Sequence, residues 1–257
     1  MSRYFIKLSY NGSRYHGWQM QENAVSIQDL IQKGLSFHTG EQIELTGCGR
    51  TDTGVHAREY YAHFDLNRDQ TPDFLEYLVY KLNSFLPDDI AVYEIFPVPK
   101  ELHARFDAIS RTYEYQVLRK KDPFLEDFAY YLYGELDVDR MNEGAALLLK
   151  YDDFTSFSKL HTQVKTNICH LMHARWEESG NLLVFTIKAD RFLRNMVRAI
   201  VGTLLDLGRS KITLEDLIRI IEVKDRSAAG FSVPAKGLFL TGVEYIEPIP
   251  RPLSIDH

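Results

Sequence analysis

Hydrophobic and polar residues alternate from residue 4 to residue 10, with Tyr4, Ile6, Leu8 and Tyr10 on one side and Phe5, Lys7 and Ser9 on the other, which is the period of a strand. A helical stripe follows: Ile27, Leu30, Ile31 and Leu35 recur at helical spacing behind Ser26, and Ser26 with Asp29 resembles a capping box. Residues 43–46 and 59–65 read as strands on either side of a polar loop. Thr71 and Pro72 open a second helix with the stripe Leu75, Leu78, Val79 and Leu82, and residues 90–96 make a strand closed by Pro97 and Pro99. Strand, helix, strand, strand, helix, strand is the order of a ferredoxin-like unit.

After the linker PVPKELHARFDA the order returns. Residues 110–119 place Arg111, Tyr113, Tyr115, Val117 and Arg119 on one strand face. A helix is predicted over 138–149 behind Asp137, a hairpin from 169–177 and 182–189, and a long helix over 191–207 stopped by Gly208. Thr213 and Asp216 cap an added helix carrying Leu214, Leu217, Ile218 and Ile221, and residues 238–246 form the last strand. The expected fold class is therefore α+β, with two ferredoxin-like β-α-β-β-α-β halves, residues 1–105 and 106–257, and a cleft between them. The longest irregular segments, 120–136 and 152–168, are the expected places for mobile substrate contacts.

Composition narrows the functional classes. A formal charge of -6 argues against coating nucleic acid through bulk charge, although a local basic groove remains open. No apolar run reaches the roughly 18 residues of a membrane span, and MSRYFIKLSY has no signal-peptide core, so a cytoplasmic location is expected. The two cysteines, Cys48 and Cys169, cannot build a disulfide framework. In the run CHLMH at 169–173, a strand would point Cys169 and His173 one way and His170 the other, so no metal is expected. There is no Walker loop and no dinucleotide-binding glycine pattern after a strand, so chemistry should run on side chains alone, without a cofactor.

Three features carry that chemistry. The first is GCGRTDTGVHA at 47–57, which sets Asp52 among Gly47, Gly49 and Gly54 with Arg50 and His56 close by. Glycines permit tight loop backbone and close approach of a ligand, while an ordinary turn in which Asp52 satisfies its own loop is the plainer alternative. The second is the helix over 191–207, where Arg191, Arg194, Asn195, Arg198 and Gly202 fall within about a 100° arc, a basic strip suited to phosphate or carboxylate. The third is the face Arg111, Tyr113, Tyr115, either core packing or a platform on which single-stranded bases stack.

These residues carry a resemblance. GRTDTGVHA at 49–57, YNGSRYHGWQMQ near the start, LNSFLPDDI at 82–90, HARFDAISRTYEY at 103–115, FLRNMVRAIVGTLLDLG at 192–208 and VPAKGLFL at 233–240 resemble the tRNA pseudouridine synthase A family. The resemblance implies a pseudouridine synthase fold with a central, mainly antiparallel sheet. It also implies a homodimer that isomerises uridine at positions 38, 39 and/or 40 of the tRNA anticodon stem-loop with no metal or organic cofactor. Carried over, Asp52 is the catalytic residue, Tyr113 stacks on the target base, Arg198 pairs with the aspartate, and Arg50 supports the flipped-out nucleotide. One departure stands at Arg58, Glu59, Tyr60 and Tyr61, where the family often has a small or amide-rich run. Two other readings remain open: a non-catalytic RNA-binding module, and a base-releasing glycosidase with Asp107 or Asp190 as its second carboxylate.

Overall fold

A computed structural model describes residues 1–159 and 166–246, so residues 160–165 of the irregular segment 152–168 lie outside the described residues. The chain divides into two compact units, Met1–Ile109 with the described residues from Leu240 on, and Ser110–Phe239.

In the first unit, β1 (Ser2–Tyr10) is followed by α1 (Ile27–Thr39), β2 (Thr46–Gly47), β3 (His56–Leu66), α2 (Pro72–Phe85) and β4 (Ile90–Val98). β1 runs antiparallel to both β3 and β4, and β2 pairs antiparallel with β3 at Thr46↔His63 and Gly47↔Ala62. Because β1 lies between two strands, its alternation does not separate core from solvent: Phe5, predicted on the polar side, is as fully buried as Ile6 and Leu8. Phe5 packs against Phe96 and Tyr245.

The helix signals act as predicted. The Ser26 hydroxyl accepts the Asp29 amide, and α1 ends at Gly40 with φ 71°. The Thr71 hydroxyl accepts the Phe74 amide at the start of α2, which buries Leu75, Leu78 and Leu82.

The second unit holds β5 (Ala108–Leu118), from Ser110 on, then β6 (Tyr130–Tyr131), α3 (Val138–Leu148), β7 (Leu171–Ser179), β8 (Leu182–Ala189), α4 (Met196–Gly208) and α5 (Leu214–Glu222). β8 is antiparallel to β5 and to β7, while the short β6 runs parallel to β5. The hairpin pairs Ser179 with Leu182 across Gly180, whose φ of 59° suits a tight two-residue turn. Thr213 and Asp216 form the complete capping box of α5. The final strand, β9 (Leu238–Tyr245), enters the first unit at Leu240. There the Tyr245 hydroxyl donates to the Ala104 carbonyl at 2.7 Å. The result is a mixed α/β protein with mainly antiparallel strand pairing and five α-helices among the described residues. None of those helices is long and apolar enough to cross a membrane.

One prediction is corrected here. The helix expected over 191–207 begins at Met196, because the Asp190 carboxylate takes the Arg191 amide at 2.7 Å and Asn195 stands in the left-handed region at φ 68°. Asparagine tolerates that conformation as a single residue but does not propagate a right-handed helix through it. Arg191, Arg194 and Asn195 therefore do not share a helical face with Arg198.

Candidate active site

Asp52 is half-buried in the loop between β2 and β3. Its carbonyl accepts the Val55 amide at 3.1 Å, and Gly54 closes that turn at φ 77°. A second loop, the aromatic and glycine-rich segment after β1, is laid against this one. The Trp18 amide donates to the Thr51 carbonyl and the Gly54 amide to the Tyr15 carbonyl, each at 3.3 Å. The hydroxyls of Tyr10 and Thr51 bond at 2.9 Å. Space at the contact is set by two glycines: a Cβ at Gly12 would stand 2.0 Å from the Val55 carbonyl oxygen, and one at Gly17 would stand 2.4 Å from that of Thr51.

The supporting loop has its own anchor. The Asp89 carboxylate, 9% exposed, takes the Arg14 guanidinium at 2.6 Å. It also accepts the hydroxyl of the buried Tyr15, and the Asp89 carbonyl takes the Asn11 amide at 2.9 Å. Burial and the neighbouring carboxylate push the Tyr15 phenol well above the usual range, so it stays a donor. Below the Asp52 loop, Trp18 and Tyr60 stack with centroids 4.1 Å apart, and the Tyr60 hydroxyl donates to the Gly49 carbonyl at 2.5 Å. Tyr60 belongs to the Arg58–Tyr61 departure, and as a fully buried residue it underpins the loop from inside.

The predicted residues therefore separate. Arg50 is exposed beside the half-buried Asp52. His56, expected to work on a polar substrate, is buried, and its Nδ1 accepts the Gly12 amide at 3.1 Å; it holds the two loops together. Cys48 is buried with its amide on the Tyr61 carbonyl, a packing residue. Glycine roles separate as well. Gly47 has no room for a side chain against Tyr60 and Trp18, whereas a Cβ at Gly49 would meet nothing within 4 Å.

In the second unit, Tyr113 on β5 is half-buried and meets Phe192 edge-on at 5.2 Å. Tyr115 is not part of an open platform: it is fully buried and its hydroxyl donates to the Pro234 carbonyl at 2.8 Å. Burial pushes that phenol up, which keeps it neutral. Arg111 donates from Nη1 to the Asp190 carbonyl at 2.8 Å.

Arg198 lies in the first turn of α4, its Nε donating to the Val233 carbonyl at 2.7 Å while its own carbonyl accepts the Val233 amide at 3.2 Å. The close approach that Gly202 permits is to this same segment, since a Cβ there would stand 1.9 Å from the Phe231 carbonyl oxygen. The two alternative acids both serve backbone. Asp107 accepts the His103 amide at 2.6 Å, and Asp190 accepts those of His170 and Arg191. Cys169 precedes β7, buried, with its thiol pushed up to about 12 by burial. Among the described residues no group of three His, Cys, Asp or Glu side chains could hold a metal ion.

The sequence reading missed Tyr15, Trp18, Tyr60 and Asp89. The dense aromatic and glycine content of residues 10–21 was the signal available for the first two.

Comparison with known proteins gives a consistent result. A family model described as tRNA pseudouridine synthase matches residues 146–246. The tRNA pseudouridine synthase A of Parabacteroides distasonis is 54% identical over 247 residues, covering 96% of this chain and 97% of its own. That of Bacteroides thetaiotaomicron is 53% identical over 254 residues, covering 97% and 93%. That of Clostridium acetobutylicum is 44% identical over 242 residues, covering 93% and 98%.

Proposed function

The chain belongs to the tRNA pseudouridine synthase A family and is an isomerase that converts uridine in tRNA to pseudouridine, and on that footing we propose that it acts at positions 38, 39 and/or 40 of the anticodon stem-loop with Asp52 as its catalytic carboxylate. The observation that carries the assignment is the clamped loop: Asp52 is half-buried on backbone fixed from one side by Thr51, Gly54 and His56 and from below by Tyr60. Catalysis by a side chain depends on such fixed placement.

In the reaction the bond from uracil N1 to the ribose C1′ breaks, the base turns, C5 bonds to C1′, the C5 proton leaves to solvent and N1 takes up a proton. A carboxylate acts either as a nucleophile at C1′, as in retaining glycosidases, or as a proton acceptor. Reaching that sugar in a stem requires the nucleotide to be flipped out, at a cost of a few kcal/mol. The exposed Arg50, two residues before Asp52, is suited to support the displaced nucleotide. Tyr113 is assigned to stack on the target base and Arg198 to bind the substrate, its guanidinium oriented through Nε by Val233.

The proposal includes two ferredoxin-like halves, supported in the first unit by the strand and helix order β1, α1, β2, β3, α2, β4 with β1 between β3 and β4. It also includes a homodimer, which rests on the family resemblance, and a cytoplasmic location.

The test is tritium release from tRNA labelled at uridine C5. The wild type should release tritium while the RNA chain stays intact, and Asp52→Asn should lose release but keep tRNA binding. Free uracil among the products would point to a glycosidase instead. No release from any tRNA with uridine at 38, 39 or 40 would end the proposal.

A further inference from the structure

An exposed aromatic ring outside the loops described above is held out on a turn that is fixed in unusual detail. Phe106 is 74% exposed, with its ring against the His103 imidazole at 4.3 Å and the Arg105 guanidinium 5.6 Å from its centroid. In the turn beneath it, residues 103–107, all five backbone amides are hydrogen-bonded. Nδ1 of His103 accepts the amides of Arg105 at 3.0 Å and Phe106 at 3.3 Å. Asp107 accepts the His103 amide and returns its own to the His103 carbonyl at 3.1 Å. The Ala104 amide donates to Nδ1 of the buried His63, and the Ala104 carbonyl accepts the Tyr245 hydroxyl.

Folding does not reward exposing a phenylalanine, and a turn closed by two imidazoles and a carboxylate does not need that ring to hold its shape. A preorganised aromatic beside a guanidinium is the recognition chemistry of an unpaired nucleobase: the ring offers a π-face to any base, and the cation complements the adjoining phosphate. Holding the ring in place beforehand removes the ordering cost of binding.

We propose that Phe106, carried with Arg105 on the histidine-fixed 103–107 turn, is a stacking contact for an unpaired base of the tRNA substrate, additional to the residues that handle the target uridine. The inference rests on tRNA being the substrate.

Fluorescence anisotropy with labelled tRNA tests it, using the full chain with Phe106→Ala and Phe106→Trp. Loss of one stacked base should raise Kd by about tenfold or more, and tryptophan should bring it back to within about twofold of wild type. Stacking releases no counterions, so the ratio of Phe106→Ala to wild-type Kd should hold between about 50 and about 200 mM salt while both values rise. Thermal midpoints should not move, because the ring contributes little burial.

Wild-type Kd in Phe106→Ala would overturn the inference, and so would tryptophan binding as weakly as alanine. Unchanged tRNA affinity with altered self-association in sedimentation would assign the ring to a protein contact and overturn it too. The proposed activity fails by a different result, absence of tritium release from the wild type, so the two failures are read separately.

Discussion

Tyr15 and Asp89 stand 74 residues apart in the chain, yet the tyrosine hydroxyl donates to the aspartate carboxylate. The carbonyl of the same tyrosine accepts the Gly54 amide two residues after Asp52. A carboxylate at the end of α2's outgoing turn thus reaches the loop that carries Asp52 through one side chain. Tyr15→Phe and Asp89→Asn should each lower kcat for tritium release about tenfold, since small misplacements of a reacting group carry large rate effects. KM should change less than twofold. The double variant should lose no more than Asp89→Asn alone, because both act through one link. Additive losses, or KM rising in step with kcat falling, would show that the pair does not position Asp52.

Gly12, packed against the 47–57 loop, and Gly49, within it, make a matched comparison. A methyl at Gly12 would meet the Val55 carbonyl at 2.0 Å, whereas one at Gly49 would meet nothing. Gly12→Ala should destabilise the protein by about 1–3 kcal/mol through overpacking, and Gly49→Ala should stay within about 0.5 kcal/mol of wild type. Urea unfolding of both variants checks this. A rate loss in Gly49→Ala without a stability loss would show that substrate, and not the fold, needs that open space.

Arg198 is held through Nε and the Val233 carbonyl, which lysine cannot reproduce with a single ammonium. Arg198→Ala should cut the rate strongly with a milder loss of tRNA affinity, and Arg198→Lys should recover little of it. Equal losses of rate and affinity in single-turnover and binding assays would reduce Arg198 to a phosphate contact.

The acid limb of stability should depend on His63. Burial, with a smaller contribution from the Arg3 charge, pushes its pKa down to about 4 from an ordinary 6.5, and Nδ1 accepts the Ala104 amide. The neutral form is favoured in the fold, so the unfolded chain binds more protons between those values. Stability is then complete above about pH 6.5 and falls as pH drops toward 4, by up to about 3 kcal/mol. Denaturant titrations across this window should show the slope, and His63→Asn should flatten it. An unchanged slope in the variant would assign the acid loss elsewhere.

Much of the fold was legible because its cues are local. Ser26, Thr71, Asp137 and Thr213 each cap the helix expected behind them, and the hairpin at Gly180 lies where the turn residues put it. The start of α4 was not legible, since apolar spacing continues through Leu193 and Met196 while Asn195 turns the backbone left-handed. Asp52 and Arg50 could be singled out from residue types in one loop. The work of His56, Tyr60 and Asp89 could not, because each acts through a partner distant in sequence and the sequence does not show which of several plausible partners is met. Tyr115 was ambiguous for a related reason: alternation names a face, and only the fold decides whether that face sees solvent.

Both thiols of the chain, Cys48 and Cys169, are buried, and that of Cys169 is pushed up to about 12. Burial keeps both from an alkylating dye. A single cysteine placed at the exposed Arg50 or Phe106 would be the one reactive handle on the native protein. Fluorophores attached there can then report, from separate positions on the first unit, when each meets RNA.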